Sequence, residues 1–95
     1  MRETVLFKSE EKMARTEVTA ALRTIADKID SGQIALSMGE DQVSLEIPEN
    51  VTLELKAEEE VLRSGGIKKS LEIEIEWKEG QEGEGKSPAK GVTIS

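Results

Sequence analysis

Between Ser70 and Gly80 the chain reads SLEIEIEWKEG, with Leu71, Ile73, Ile75 and Trp77 alternating with Glu72, Glu74 and Glu76. Successive side chains of a strand point to opposite faces, so the four apolar residues share one side and the three carboxylates the other. The same period of two runs through 50–62, where Val51, Leu53, Leu55 and Ala57 face one way and Thr52, Glu54, Lys56 and Glu58 the other. Two shorter runs, IALSM at 34–38 and VSLEI at 43–47, alternate likewise, and TVLFKSEEKM at 4–13 begins with Val5 and Phe7 on one face before fading into charge. The pattern therefore predicts strands at 4–13, 34–38, 43–47, 50–62 and 67–77.

One segment keeps a different period. Val18, Ala21, Leu22, Ile25, Ala26 and Ile29 form a single stripe at steps of three and one, which predicts a helix over 17–31 with one apolar side. Thr16 is the natural N-cap and Glu17 sits where the helix dipole favours negative charge. Gly32 follows as the left-handed residue that closes the helix.

Strand pairing follows from which residues share a face. For the shorter pair, Met38 with Val43, Leu36 with Leu45 and Ile34 with Ile47 match apolar sides and leave Gly39 to Gln42 as the loop. Pro48 has no N–H to give a ladder and ends that strand. In the longer pair, Ala57 with Leu71, Leu55 with Ile73, Leu53 with Ile75 and Val51 with Trp77 imply the loop Leu62 to Gly66, and set Lys56 against Glu72, Glu59 against Lys69 and Glu60 against Lys68. A loop two residues shorter sets Glu58 against Glu72 and Glu54 against Glu76, and like charges oppose pairing.

The expected fold is α+β in the order β-α-β-β-β-β, one helix on one face of a four- to five-stranded, mainly antiparallel sheet. Residues 1–78 form a single domain in this reading. The Gly-rich stretch 79–95 is expected to be a flexible tail, or one that orders against a partner. A sheet of that size is roughly 20 Å wide and a helix about 10 Å across, so half the apolar face lacks cover. This predicts a homodimer or another protein partner completing the core.

Composition removes more functions than it offers. The 95 residues contain no Cys, His or Tyr, which removes disulfides, thiolate sites and the usual neutral-pH acid–base group. The N-terminus has neither a signal-like apolar run nor a membrane span, so the expected location is cytoplasmic. The net charge of −7 lies within residues 1–77, because Lys78, Lys86 and Lys90 balance Glu79, Glu82 and Glu84. Such a surface repels phosphate backbones and attracts basic proteins, so no nucleic acid and no membrane are expected. Phe7 and Trp77 are the sole aromatic residues, too few for a base-stacking platform.

The candidate site residues are Trp77, Glu54, Glu72, Glu74 and Glu76. Outward carboxylates on a strand recur about 7 Å apart and do not converge as a metal site requires, so the row reads first as a solvated face and second as a docking surface. Trp77 either closes the end of the core or anchors a partner. No catalytic residue, cofactor or metal is expected. The leading expectation is a non-enzymatic protein-interaction module acting through its sheet edge or the apolar face near Trp77. The alternatives are a ligand binder or enzyme with a pocket between helix and sheet, and an acidic decoy for a nucleic-acid-binding protein.

Together, Thr16-Glu17-Val18 opening AALRTIADKIDSGQI, then VSLEIPENVTLELKAE, then LEIEIEW, resemble the amphi-Trp domain, a family of small archaeal and bacterial proteins named for amphipathic strands ending in Trp. The resemblance covers residues 4–79 and leaves out the tail after Lys78. It implies the fold order above and brings no catalytic residue or cofactor.

Overall fold

The computed structural model describes residues 2–80 and 91–95. The chain divides into two compact units, Met1–Ile47 and Pro48–Ser95. The described residues have an α+β architecture, with one helix, α1 (Arg15–Ser31), and four strands, β1 (Gln33–Met38), β2 (Asp41–Glu46), β3 (Thr52–Val61) and β4 (Ile67–Glu76). The strands make two antiparallel sheets of two strands each, β1–β2 and β3–β4, in place of the single larger sheet expected. Pro48 offers no N–H beyond β2, and residues 47–51 form no strand that could carry a ladder onward.

In the first unit the expected helix is present but begins earlier. Its N-cap is Ala14, whose side chain makes no capping bond, and the first turn closes with the Glu17 and Val18 amides donating to the Ala14 carbonyl at 2.9 and 3.1 Å. Thr16, expected as the cap, lies inside the helix because Arg15, a good helix former, extends it backward. The C-terminus is as expected: Gly32 has φ +87° and its N–H reaches the carbonyls of Ile29 and Lys28. The Gly32 carbonyl then accepts from the Ile47 amide at 2.8 Å, joining the end of the helix to the hairpin that follows.

The β1–β2 hairpin keeps its expected faces in a different register. Leu36 lies opposite Val43 and Ile34 opposite Leu45, with Met38 against Asp41, a slip of two residues that leaves every side chain on its own face. The loop shrinks to Gly39 and Glu40. Gly39 has φ +62° and Glu40 a negative φ, as in a type II′ turn, whose twist matches that of the strands. The longer loop would match one more apolar pair, Met38 with Val43, but would leave Asp41 and Gln42 out of the ladder.

α1 packs on β1. Ile25 and Ile29 of the helix and Ile34, Leu36, Val43, Leu45 and Ile47 of the hairpin are half-buried, while Val18 and Leu22 in the first turns of the stripe remain 42% and 43% exposed. The strand expected at 4–13 is absent; residues 2–14 have neither helix nor ladder. Phe7, Ser9 and Glu11 nonetheless line an open cleft with Ala35, Leu36, Ser37 and Met38. The segment thus runs beside β1 without bonding to it, because from Lys8 to Lys12 it has only polar side chains to offer and Val5 stays 75% exposed.

Residues 81–90, most of the expected tail, lie outside the described residues; 91–95 form no regular element. Among the described residues no side chain is fully buried. Stability of the first unit therefore leans on its helix ends. Ala14→Ser is expected to raise unfolding free energy by about 1 kcal/mol by supplying the missing cap. Gly32→Ala is expected to lower it by roughly 1–2 kcal/mol through its left-handed φ. Steric overlap adds little, since the nearest atom to the new methyl is 3.7 Å away. Urea titrations of both variants check the two signs.

Candidate protein-interaction surface

The second unit is built around one hairpin, and its register is the one the alternation demands. Leu53 lies opposite Ile75, Leu55 opposite Ile73 and Ala57 opposite Leu71. The five-residue loop Leu62 to Gly66 is closed by the Leu62 amide donating to the Gly66 carbonyl at 2.8 Å and the Gly65 amide to the Leu62 carbonyl at 2.9 Å. Gly65, at φ +90°, supplies the left-handed step that returns the chain.

This register divides the site residues between two faces. Glu54, Glu72, Glu74 and Glu76 stand on the polar face, with Thr52 opposite Glu76, Glu54 opposite Glu74 and Lys56 opposite Glu72. Glu54 and Glu74 are like charges in direct opposition, a repulsion the sequence reading passed over. Lys56 answers it only in part. Its ammonium lies 3.4 Å from Glu58 two residues along the same strand, and Glu58 first, then Glu72 and Glu54, hold its pKa above the usual lysine value. The side chain is exposed, so the shift keeps the cation charged and says little about stability. Among the described residues, no three acidic side chains gather closely enough to hold a metal ion.

Trp77 follows β4 by one residue and is half-buried. Its indole N–H has no protein acceptor among the described residues and is open to solvent. On the same side of the hairpin, Leu55 and Ile75 are half-buried, whereas Leu53, Ile73 and Leu71 are exposed, Leu71 at 72%. The apolar face also holds Glu59 opposite Lys69 in an ion pair of 3.5 Å. Their opposition is legible in the sequence, but only their odd numbers reveal that they share the face of the leucines.

The family model of the Amphi-Trp domain matches residues 1–95. The chain belongs to this family. No curated protein and no solved structure matches it. The match runs past the motifs that end at Trp77 and takes in the Gly-rich stretch after Lys78. In this Amphi-Trp domain all four strands alternate in polarity, and Trp77 stands at the open end of the β3–β4 hairpin. The cleft between residues 7–11 and β1 is lined by no helix residue. No helix of the described residues is long and apolar enough to cross a membrane.

The opposed carboxylates give a direct test of the polar face. Glu74→Lys turns the Glu54–Glu74 repulsion into attraction and is expected to stabilise the hairpin by a few tenths to about 1 kcal/mol. The gain should shrink in high salt, where exposed charges are screened. Thermal melts at low and high ionic strength check both.

Proposed function

We propose that this Amphi-Trp domain is a small, non-enzymatic protein-interaction module of the cytoplasm, and that its contact surface is the apolar face of β3–β4 beside Trp77. The observation that carries this reading is the exposure of Leu53, Ile73 and Leu71 along one side of a two-stranded hairpin. A hairpin of two strands is marginal in water until something covers its apolar face. A surface that is costly to leave wet is one that binds.

The charge pattern supports the same choice. Glu54, Glu72, Glu74 and Glu76 keep the opposite face in water and disfavour nucleic acid. They also form an acidic margin that favours a partner with basic residues around an apolar centre. Residue chemistry speaks against catalysis: the chain has no His, Cys or Tyr, and its carboxylates stand in parallel on a strand.

Three variants separate the apolar face from the acidic one. Leu71→Glu and Trp77→Ala are each expected to abolish protein binding by the immobilised domain, with loss of at least about tenfold in affinity. Replacing Glu54, Glu74 and Glu76 together by Lys is expected to slow association and leave a partner bound. If the triple variant alone loses the partner, the acidic face is the contact surface and the proposal is wrong.

A further inference from the structure

The apolar face of β3–β4 is not uniformly greasy. From the open end toward the loop, Leu53 stands beside Ile75, Leu55 beside Ile73, Ala57 beside Leu71, Glu59 beside Lys69 and Val61 beside Ile67. A partner packed on this face must answer hydrocarbon, then a carboxylate and an ammonium side by side, then hydrocarbon again. A foreign surface with that pattern is a strong demand, but the chain itself carries it.

Resting on the reading that this face is the contact surface, we propose that its occupant is a second copy of the chain, packed hairpin face to hairpin face about a two-fold axis that runs along the strands. That rotation lays β3 of one copy over β4 of the other and keeps every residue level with its own ladder partner. Glu59 then faces the partner's Lys69, and Lys69 faces the partner's Glu59. The four charges alternate in sign around a square, so each has two opposite neighbours and none is left against hydrocarbon. Ala57, the small residue of the face, meets the partner's Leu71, the most exposed large side chain of β4. Small against large is what interdigitating layers need.

Other arrangements of two copies are worse on charge. A two-fold axis running across the strands turns one hairpin end over end and sets Glu59 over apolar positions of the partner near its open end, with no cation to meet it. Joining copies edge to edge through antiparallel β4 strands brings the glutamates at 72, 74 and 76 beside those of the other copy. In the face-to-face pair these glutamates point outward into water on both sides. The two hairpins then pack about 10 Å apart, as sheets in a sandwich do.

The area is adequate. Two strands of ten residues give a face about 33 Å long, and Val51, Leu53, Val61, Ile67, Leu71 and Ile73 are all exposed on it. That is on the order of 600 Å² per copy, or about 1,200 Å² for the pair, the lower end of specific interfaces.

Charge reversal at the square tests the geometry. Glu59→Lys and Lys69→Glu each place four like charges together in their own dimers, and each is expected to weaken self-association by at least about a hundredfold. Mixed in equal amounts they complement one another, and sedimentation should return a particle of twice the 10.4 kDa chain mass, as for the wild type. Far-UV circular dichroism confirms that each variant is folded. Should either lose its fold, Leu71→Glu takes its place, at a side chain already open to solvent, and is expected to be folded and monomeric. A wild type that stays monomeric at high micromolar concentration overturns the proposal, as does a mixture that fails to associate or a Leu71→Glu chain that still dimerises. A monomeric wild type that binds a foreign protein through Leu71 and Trp77 overturns the second copy alone and leaves the contact surface standing.

Discussion

Alternation along β3 and β4 separates apolar from charged side chains almost without exception, and among the described residues of their unit the hairpin is the one layer of regular structure. A cross-strand pair contributes at most about 1 kcal/mol, whereas ordering the backbone of its two residues costs about 2–4 kcal/mol. Ladder hydrogen bonds narrow that gap, each contributing about 1 kcal/mol net. They do not make a wet apolar face favourable. What remains must come from removing Leu53, Leu71, Ile73 and their neighbours from water, at roughly 1.5–3 kcal/mol for each side chain fully buried. The register of this hairpin and the contact surface proposed for it therefore rest on the same apolar side chains.

The same constraint changes what the glutamates mean. On a single face, Glu72, Glu74 and Glu76 look like a site waiting for cations, but their spacing along β4 keeps them apart and Glu54 adds repulsion across the ladder. Those properties suit a surface that must remain wet. β4 ends the hairpin on one side, and an exposed edge of regular strand is a template for unwanted pairing. A run of like charges along it opposes that pairing while the opposite face stays apolar. The acidic row acts through what it prevents, and the neighbouring Lys56 moderates it without cancelling it.

Much of this was legible because strand faces have a period that admits no compromise. The β3–β4 register was fixed by the requirement that leucines and isoleucines oppose one another, and by Lys56, Lys68 and Lys69 falling opposite glutamates. The same logic for β1–β2 gave the right faces and the wrong register, since a slip of two preserves parity and only turn geometry distinguishes the alternatives. Gly39 carried that information through its freedom to take a positive φ. The first strand failed for another reason. Val5 and Phe7 start an alternation that Ser9, Glu10, Glu11 and Lys12 do not sustain, so the segment can lie against β1 without gaining enough to bond to it. The helix start moved because propensity at Arg15 outweighed the cap that Thr16 could have formed. Membership of the Amphi-Trp family was readable from motif order, since helix, Gly32, Pro48 and Trp77 follow in sequence.

Trp77 stands at the open end of the hairpin, and in the proposed contact the loop half of the same face adds to what it supplies. At the open end Leu55, Ile75 and Trp77 are already half-buried, while toward the loop Leu71, Ile67 and Val61 stand in water. Residues already sheltered gain less from a partner than residues fully wet, because the apolar area still to be removed is smaller. The loop half also holds Glu59 and Lys69, the sole charges on that face of the ladder, and these can tell one partner from another in a way hydrocarbon cannot. In the proposed contact, selectivity would thus come from Ala57, Leu71 and the ion pair beside them, with Trp77 anchoring the open end of the same face.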